Sequence, residues 1–296
     1  MINFEGKVAI VTGSGAGLGR CHALELARRG AKVVVNDLGG SVDGSGGSSD
    51  AALAVVEEIK KAGGEAIANG ASVSDRKGAE SIVKDAMDAY GRVDILINNA
   101  GILRDKSFAK VSLDDFELVL SVHLLGSVYC SKAVWPVMRE QGYGRIVMTT
   151  SSSGLYGNFG QSNYGAAKLG LVGFMNTLKL EGASKNIHVN TIAPIAGTRM
   201  TENLGFPEEV FKSLKPELVT PAVLFLCHED APTGTIVEAG AGYYAKVQVV
   251  EGKGVKLGGD ATLESFTENW EKISDMSEAT PFNNGAEVFI KLATAE

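Results

Sequence analysis

The chain has 296 residues, of which 45% are hydrophobic and 21% are charged, and its 28 basic and 35 acidic side chains give a net charge of -7. This composition is that of a globular protein with a sizeable core, and it excludes a disordered or fibrous chain. The acidic balance, without a cluster of Lys and Arg, argues against a nucleic-acid-binding protein.

Seven short apolar runs do not alternate with polar residues, which is typical of strands covered on both faces. They are 8–11, 32–35, 66–68, 94–97, 145–148, 188–192 and 235–237. Segments with helical spacing lie between the first of these runs, at 18–29, 51–61 and 75–89. The alternation from residue 7 to about residue 240 predicts an α/β fold, a doubly wound parallel sheet of the Rossmann type in a single domain with a C-terminal extension.

The first strand run leads directly into a glycine-rich turn, Thr12-Gly-Ser-Gly-Ala-Gly-Leu-Gly19, which is followed by a helical segment. Glycines permit a tight turn and a close approach of the backbone, so the amides at the start of the helix can bind a pyrophosphate. A chain with 37 glycines produces such strings by chance. The position of this one between a strand and a helix favours a nucleotide site.

The second strand run ends at Asp37. An acid at this position accepts both hydroxyls of an adenosine ribose and repels a 2′-phosphate, which favours NAD over NADP. The alternative is that Asp37 only caps a turn. The low-complexity stretch 39–49 comes next, and its Gly and Ser residues predict a flexible loop, with ligand binding as the alternative.

Tyr164-Gly-Ala-Ala-Lys168 opens an Ala- and Leu-rich helical segment, and Ser151 lies in a hydroxyl-rich run at the end of a strand. Residues four apart share one helix face, so the ammonium of Lys168 can sit near the phenol of Tyr164. A free tyrosine has a pKa of about 10, whereas a base needs a pKa of about 7 to 8 to act in that range. This pattern is short, and only its combination with the glycine turn and Asp37 indicates a dehydrogenase.

These residues resemble the short-chain dehydrogenase/reductase family over residues 5 to 240, including its Thr-Gly-x-x-x-Gly-x-Gly turn and, at 98–101, its Asn-Asn-Ala-Gly motif. The resemblance implies that Ser151 polarises the substrate oxygen, Tyr164 takes the hydroxyl proton, and Lys168 lowers the pKa of Tyr164 while holding a ribose. It also implies a set of residues that bind NAD. They are Gly13, Gly17, Leu18, Gly19, Asp37, Ser72, Val73, Asn99, Ala100, Gly101, Tyr164, Lys168 and Thr198.

Segments 35–40, 98–105, 156–161 and 226–229 further resemble the (3R)-hydroxyacyl-CoA dehydrogenase portion of peroxisomal multifunctional enzymes. This implies NAD-dependent oxidation of a 3-hydroxyacyl-CoA to a 3-ketoacyl-CoA in fatty-acid or steroid side-chain β-oxidation. The alternative substrate is a steroid alcohol or a small ketone, and a further alternative is a non-catalytic NAD-binding module. We expect residues 155–159 and 201–214 to shape the substrate pocket, the second as a mobile lid.

The sequence departs from the family pattern at one histidine. Many members carry an Asn that completes a proton relay where this chain has His123. Because an imidazole offers different donors and acceptors from an amide, His123 is either a structural residue or a catalytic one. His22, His188 and His228 show no ligand spacing, so no metal site is predicted.

The alternation ends near Tyr244, which divides the chain into an NAD-binding domain, residues 1–244, and a C-terminal extension, residues 245–296. Within the extension, residues 262–274 predict one amphipathic helix, and we expect the extension to cover the core or a partner subunit. Apolar helices at 112–140 and 162–184, together with the resemblance, predict a homodimer.

The sequence also bears on where the protein resides. No apolar run approaches the roughly 18 residues needed to cross a membrane, and the N-terminus lacks a signal-peptide pattern. Cys21, Cys130 and Cys227 are odd in number and far apart, which predicts neither a disulfide framework nor a zinc site. We therefore expect a cytoplasmic protein that acts on a small molecule and binds neither membranes nor nucleic acid.

Overall fold

The computed structural model describes residues 2–48, 50–198 and 208–294. The chain divides into two compact units, Met1–Lys246 and Val247–Glu296, whereas the sequence placed the division after residue 244. The first unit carries the sheet and every motif singled out above, and the second consists of short helices and loops.

The first unit is built on one eight-stranded sheet with the order β3-β2-β1-β4-β5-β6-β7-β8. The strands are β1 Val8–Thr12, β2 Lys32–Asn36, β3 Glu65–Asn69, β4 Ile95–Asn98, β5 Gly144–Thr149, β6 Ile187–Ile195, β7 Ile236–Gly240 and β8 Tyr243–Val247. All pairs from β3 to β7 are parallel. The order runs outward in both directions from β1 and β4, which confirms the predicted doubly wound sheet and places its switch point between these two strands.

Helices cover both faces of this sheet, as crossovers between parallel strands require. In the first unit they are α1 Gly17–Arg28, α2 Asp50–Lys61, α3 Arg76–Tyr90, α4 Leu113–Leu120, α5 Gly126–Gln141, α6 Ser152–Tyr156, α7 Ser162–Gly182, α8 Glu208–Ser213 and α9 Thr220–Cys227. Short 3₁₀ turns cover Ala183–Lys185 and Pro216–Leu218, and a π-helical turn, Ser121–Leu125, joins α4 to α5.

The central strands are buried because their aliphatic side chains face helices on both sides. Every residue of β1, β4 and β5 is buried. In the register of the sheet, Val11 of β1 lies beside Val35 of β2 and Ile97 of β4. β-branched side chains fit such a doubly covered sheet well, so the runs that predicted strands also supply the core.

Three features differ from the sequence expectations. β8 was not predicted; it follows β7 through Ala241 and Gly242, which have φ angles of 49° and 80° and form the kind of tight turn that joins neighbouring strands. The helix predicted at 262–274 is divided into α10 Leu263–Glu268 and α11 Trp270–Ile273, because Asn269 has φ -99° and ψ 8°. A further helix, α12 Ala286–Thr294, completes the second unit.

The helical stretch Leu113–Gln141 corrects the expectation about membrane spans. It is 29 residues long and sufficiently apolar to pass a test for a membrane-crossing helix on length and composition. Buried helices of globular proteins pass the same test. The stretch is also interrupted by the π-helical turn and contains Pro136 inside α5.

Candidate active site

The glycine turn after β1 is held in place by the neighbouring strand end. Gly13 and Gly17 have φ angles of 62° and 53°, a backbone conformation that residues other than glycine rarely adopt. The Asn99 side chain donates to the carbonyls of Thr12 and Gly13 at 3.0 and 2.9 Å. The Thr12 hydroxyl accepts from the amides of Asn99 and Ala100 at 3.0 and 3.1 Å. The two motifs therefore form one rigid corner at the switch point of the sheet.

A cavity of about 380 Å³ opens beside this corner. Ten of the residues predicted to bind the cofactor line it: Gly13, Gly17, Leu18, Asp37, Ser72, Val73, Asn99, Ala100, Gly101 and Thr198. Gly19, Tyr164 and Lys168 do not line it. Gly19 instead allows close packing, since a side chain there would meet the Asn99 amide at 2.6 Å.

The residues around the cavity fit a dinucleotide. The helix that begins at Gly17 has no capping side chain at Ala16 and no acidic residue in its first turn, so its amides are available to an anion. Asp37 lies in the cavity wall and accepts from the amides of Gly15 and Gly39, both at 2.7 Å. Those bonds orient the carboxylate and, as the alternative reading proposed, also stabilise the turn.

Three polar residues predicted to be catalytic come together at the end of β5. Ser151 is the N-cap of α6, and its hydroxyl accepts from the Ser153 amide at 3.2 Å. The Ser151 side chain also lies near the phenol of Tyr164 and lowers the pKa of that phenol. The ammonium of Lys168 lies 5.3 Å from the centre of the Tyr164 ring and donates to the Thr149 carbonyl at 2.5 Å. The one-turn spacing on α7 thus places the amine and the phenol side by side, as the sequence predicted.

Burial shifts both ionisable groups toward their neutral forms. It raises the pKa of Tyr164 to about 12, against a smaller lowering by the Ser151 side chain and alongside a small further rise from the nearby Asp105. Burial also lowers the pKa of Lys168 to about 7. In the protein without ligands, the phenol is therefore protonated, and Lys168 alone does not produce the lowered phenol pKa that the resemblance implies.

His123 lies in the π-helical turn between the cavity and Tyr164. Its ring is edge-on to the Tyr164 ring, with 5.1 Å between the centroids, and a side chain at Gly101 would collide with it. Its Nε2 lies 3.0 Å from the amide nitrogen and 2.8 Å from the carbonyl oxygen of Ile102. Burial, reinforced by the charge of Lys168, holds the pKa of His123 well below its usual range, so the imidazole is neutral.

Several residues near the site were not predicted. Leu118 and Val122 line the cavity, as do Gly40, Ser41, Val42 and Gly44 of the low-complexity loop, for which ligand binding was the alternative to a purely flexible loop. Repeated Gly and Ser carry no periodicity, so the role of this loop was only weakly indicated by its sequence. Asp105 accepts from Gln161 at 2.7 Å, and burial raises the pKa of its carboxyl group. Because the two residues are far apart in the sequence, no local spacing pattern could predict this pair.

Two further expectations concern regions around the site. The segment predicted to act as a lid, 201–214, lies outside the described residues up to residue 207, and its remainder contains α8. Around His228, where no ligand spacing was found, the structure brings Glu229 and Asp230 close enough that ligand atoms of all three lie within 4.8 Å. Exposed acidic groups often lie together without an ion, so we assign no metal to this cluster.

Comparison with known proteins gives consistent results. The family model described as short chain dehydrogenase matches residues 7–208. Peroxisomal multifunctional enzyme A of Dictyostelium discoideum is 56% identical over 273 residues, which are 92% of this chain and 61% of that protein. The structure of full-length peroxisomal multifunctional enzyme type 2 from Drosophila melanogaster is 43% identical with a TM-score of 0.83, over 99% of this chain and 49% of the other.

A second solved structure is a 7α-hydroxysteroid dehydrogenase complexed with NADH and 7-oxo glycochenodeoxycholic acid. Its sequence is 31% identical to this chain, and the TM-score is 0.73. The match covers 81% of this chain and 95% of the hydroxysteroid dehydrogenase chain. The multifunctional enzymes, in contrast, are much longer than this chain, which spans only 61% and 49% of the two relatives compared. Similarity to them thus concerns part of each enzyme.

Proposed function

This chain belongs to the short-chain dehydrogenase family, and from that premise we propose that it oxidises a secondary alcohol with NAD. We propose a 3-hydroxyacyl-CoA as the substrate and the 3-ketoacyl-CoA as the product. The observation that carries the proposal is the meeting of Ser151, Tyr164 and Lys168 at the end of β5, on the same edge of the sheet as the cavity lined by the glycine turn and Asp37.

The cofactor proposal rests on the start of α1 and on Asp37. The uncapped amides after the glycine turn suit the pyrophosphate, and Asp37 suits an unphosphorylated adenosine ribose. The related hydroxysteroid dehydrogenase that was solved with NADH supports the same choice. When bound, NAD would supply the acceptor for the hydride of the carbinol carbon and a positive ring charge that would favour a phenolate nearby.

In this mechanism the protein handles the proton and holds the substrate. The Ser151 hydroxyl donates a hydrogen bond to the substrate oxygen, while Tyr164 removes the proton from that oxygen. The ammonium of Lys168, 5.3 Å from the Tyr164 ring, favours the phenolate over the phenol. Burial opposes this ionisation in the protein without ligands, so the base forms only in the loaded site.

Replacing Tyr164 with Phe tests the mechanism, because it removes the proton acceptor and little else. We expect kcat to fall by about 10² to 10⁴, the usual contribution of a general base. The assay follows the absorbance of NADH with NAD and a 3-hydroxyacyl-CoA. The matched control is Tyr90→Phe at the end of α3, which should leave kcat unchanged. Equal rates for wild type and Tyr164→Phe would remove Tyr164 from the reaction.

Replacing Asp37 with Asn tests the cofactor preference. Loss of the negative charge should narrow the ratio of kcat/KM for NAD over NADP by about tenfold, since repulsion of the 2′-phosphate disappears. The control is Asp50→Asn in the first turn of α2, outside the lining of the cavity. An unchanged ratio with Asp37→Asn would show that Asp37 acts only through the turn.

The acyl-CoA assignment rests on the segments that resemble the multifunctional enzymes and on the similarity over most of this chain. A steroid alcohol is the second candidate, favoured by the structural similarity to the hydroxysteroid dehydrogenase. Initial rates over a length series of acyl-CoAs, with both enantiomers at C3 and a bile-acid alcohol as competitor, separate the two. Turnover of the steroid but not of any acyl-CoA would favour the second candidate.

We further propose that the chain forms a homodimer through α4, α5 and α7. Exposed apolar side chains support the association: Leu113 on α4, Leu125 in the π-helical turn before α5, and Leu169 and Leu180 on α7. Light scattering after size-exclusion chromatography tests the dimer, and a monomer at micromolar concentration would contradict it.

We keep the cytoplasm as the proposed location of the protein, although the multifunctional enzymes compared above are named peroxisomal. A fluorescent fusion would separate the two compartments.

A further inference from the structure

The Gly- and Ser-rich loop after β2, residues 39–48, is here called the strap. It reaches from β2 to the segment that follows β4. The Leu103 amide donates to the Val42 carbonyl at 2.9 Å, and Arg104 Nε donates to the Asp43 carbonyl at 2.6 Å. Because β1 lies between β2 and β4 in the sheet, the strap crosses the end of β1, where the glycine turn begins.

The strap has a defined conformation despite its composition. The Asp43 carboxylate accepts from the Ser41 hydroxyl and from both the amide and the hydroxyl of Ser45. At its base, the Ser48 amide donates to the Leu38 carbonyl at 2.9 Å. Gly- and Ser-rich segments are flexible when nothing holds them, and these bonds offset part of the entropy lost on ordering.

The strap also forms part of the wall of the nucleotide cavity. Ser41 and the half-buried Val42 line it together with Asp37, Ser72 and Val73. The Asp37 carboxylate binds the first amide of the strap, that of Gly39, at 2.7 Å. This is the end of the cavity assigned above to the adenosine ribose, and Tyr164 and Lys168 do not line it.

We propose that the strap closes over the adenosine half of NAD and that Arg104 is the positioning residue that fastens it. The inference rests on the NAD binding proposed above. Val42 offers an apolar surface to the adenine ring, and the Ser41 oxygen, whose hydrogen is donated within the strap, can accept from a donor beside it. The strap slows release of the nucleotide, because its contact with Leu103 and Arg104 must open before the adenosine can leave.

The main test replaces residues 40–47 with Gly-Gly, which is sterically feasible because the two ends of the strap are in contact at Leu38 and Ser48. Calorimetry with ADP-ribose and fluorescence titration with NADH measure Kd, and stopped-flow displacement measures the NADH dissociation rate. We expect both Kd values to rise by about tenfold, the effect of losing one apolar contact and one hydrogen bond. The dissociation rate should rise by a similar factor.

A point variant keeps the test informative if the shortened loop disturbs folding. Arg104→Leu removes the bond to Asp43 and should raise the Kd for ADP-ribose about threefold. Arg104 also contacts Asp115 at 3.2 Å, and Lys106 contacts the same carboxylate at 3.0 Å without touching the strap. Lys106→Leu is therefore the matched control and should leave the Kd for ADP-ribose unchanged.

The outcomes separate the strap from the cofactor assignment. Wild type that binds NADH while the shortened loop and Arg104→Leu leave both Kd values and the dissociation rate unchanged would overturn the strap. A loss confined to NADH, with ADP-ribose unaffected, would also overturn it, because the lost contacts would then lie at the nicotinamide half. Wild type that binds neither probe would overturn the proposed cofactor itself, and the strap with it.

Discussion

His123 has one ring nitrogen, Nε2, within hydrogen-bond distance of both the amide and the carbonyl of Ile102. A neutral imidazole satisfies only one of these at a time, because the same nitrogen cannot be donor and acceptor together. Its other nitrogen, Nδ1, is buried and has no partner in the described part of the chain. His123 therefore joins the π-helical turn to the segment after β4 through one hydrogen bond, although Ile102 offers both a donor and an acceptor.

This arrangement predicts that His123→Asn is tolerated. An amide can accept from the Ile102 amide and donate to its carbonyl simultaneously, so the variant should fold and unfold at a free energy within about 1 kcal/mol of wild type. His123→Leu leaves both groups of Ile102 without a partner and should cost about 1–3 kcal/mol for each. Urea unfolding of both variants measures the difference.

The same pair distinguishes a structural histidine from a catalytic one, the two alternatives that the sequence left open. If His123 only positions the turn, kcat and its pH profile should be the same for His123→Asn as for wild type. A His123→Asn variant that folds normally but loses more than tenfold in kcat would assign the imidazole a chemical role.

His22 on α1 is fully buried, and its Nδ1 lies 2.9 Å from the Thr220 hydroxyl of α9. Burial lowers the pKa of His22 to about 3 from its ordinary value of 6.5. The unfolded chain thus binds a proton below about pH 6.5 that the folded chain refuses until about pH 3, so the stability that neutral His22 permits is lost as the pH falls through this window.

We expect the double variant His22→Leu with Thr220→Val to depend less on pH than wild type. Between about pH 6 and pH 3, its free energy of unfolding should fall by several kcal/mol less than that of wild type. The measurement is the free energy of urea unfolding at several pH values. Thr220→Val alone, which keeps the buried imidazole, is the control and should retain the slope. A slope that persists in the double variant would place the acid sensitivity elsewhere.

At the scale of elements, the close approach of α6 to α7 sets the position of Lys168. Gly154 of α6 faces α7, and a side chain at Gly154 would meet the Cβ of Lys168 at 2.7 Å and the Leu169 amide at 2.9 Å. Gly154→Ala should therefore push the helices apart and lower kcat by more than about tenfold, because displacements near 1 Å at a reacting group cost up to about 10² in rate.

Gly173 on the exposed face of α7 provides the matched control. Within one subunit, a side chain at Gly173 would meet nothing within 4 Å, so Gly173→Ala should keep kcat. Because α7 is also part of the proposed dimer contact, the gain of about 0.5–1 kcal/mol in the free energy of unfolding from helix propensity is expected of the monomer. The NADH absorbance assay and urea unfolding give both quantities. A Gly154→Ala variant with normal kcat would show that α6 does not fix Lys168.

The elements that the sequence predicted are those whose pattern is local. The strands from β1 to β7 and the turn after β1 follow from apolar runs and from glycines at the end of one run. The division of the predicted tail helix at Asn269 and the pairing of β8 depend on backbone angles that no periodicity reports. The strap is the clearest case, because its conformation depends on Asp43 and on Arg104, far away in sequence.

At the scale of the whole molecule, the candidate site follows from the topology. The sheet order turns outward from β1 and β4, so the loops after these strands diverge and leave a cleft at their carboxyl ends. The glycine turn and the Asn99 corner lie at that point, and β5 brings Ser151 to the same edge. The sequence could predict this site because its motifs stand directly after strands, but it could not predict the pKa values, which depend on burial.

The two compact units differ in whether they contain a core. In the first, entire strands are buried, whereas among the described residues of the second, 247–294, only Gly252 is buried. Leu263, Phe289 and Leu292 are 76%, 75% and 64% exposed. A chain of about 50 residues that buries so little apolar surface cannot offset the conformational entropy lost on folding.

We therefore expect the two units to behave differently when produced separately. Residues 1–246 should retain a cooperative thermal transition and the circular dichroism of an α/β protein, because their core is internal. Residues 247–296 should show the spectrum of an unordered chain and no cooperative transition, even though α10, α11 and α12 are formed in the intact protein. Two results would contradict this division: a cooperative thermal transition of residues 247–296 alone, or no cooperative transition of residues 1–246 alone. Either result would mean that the core is not formed by the buried strands.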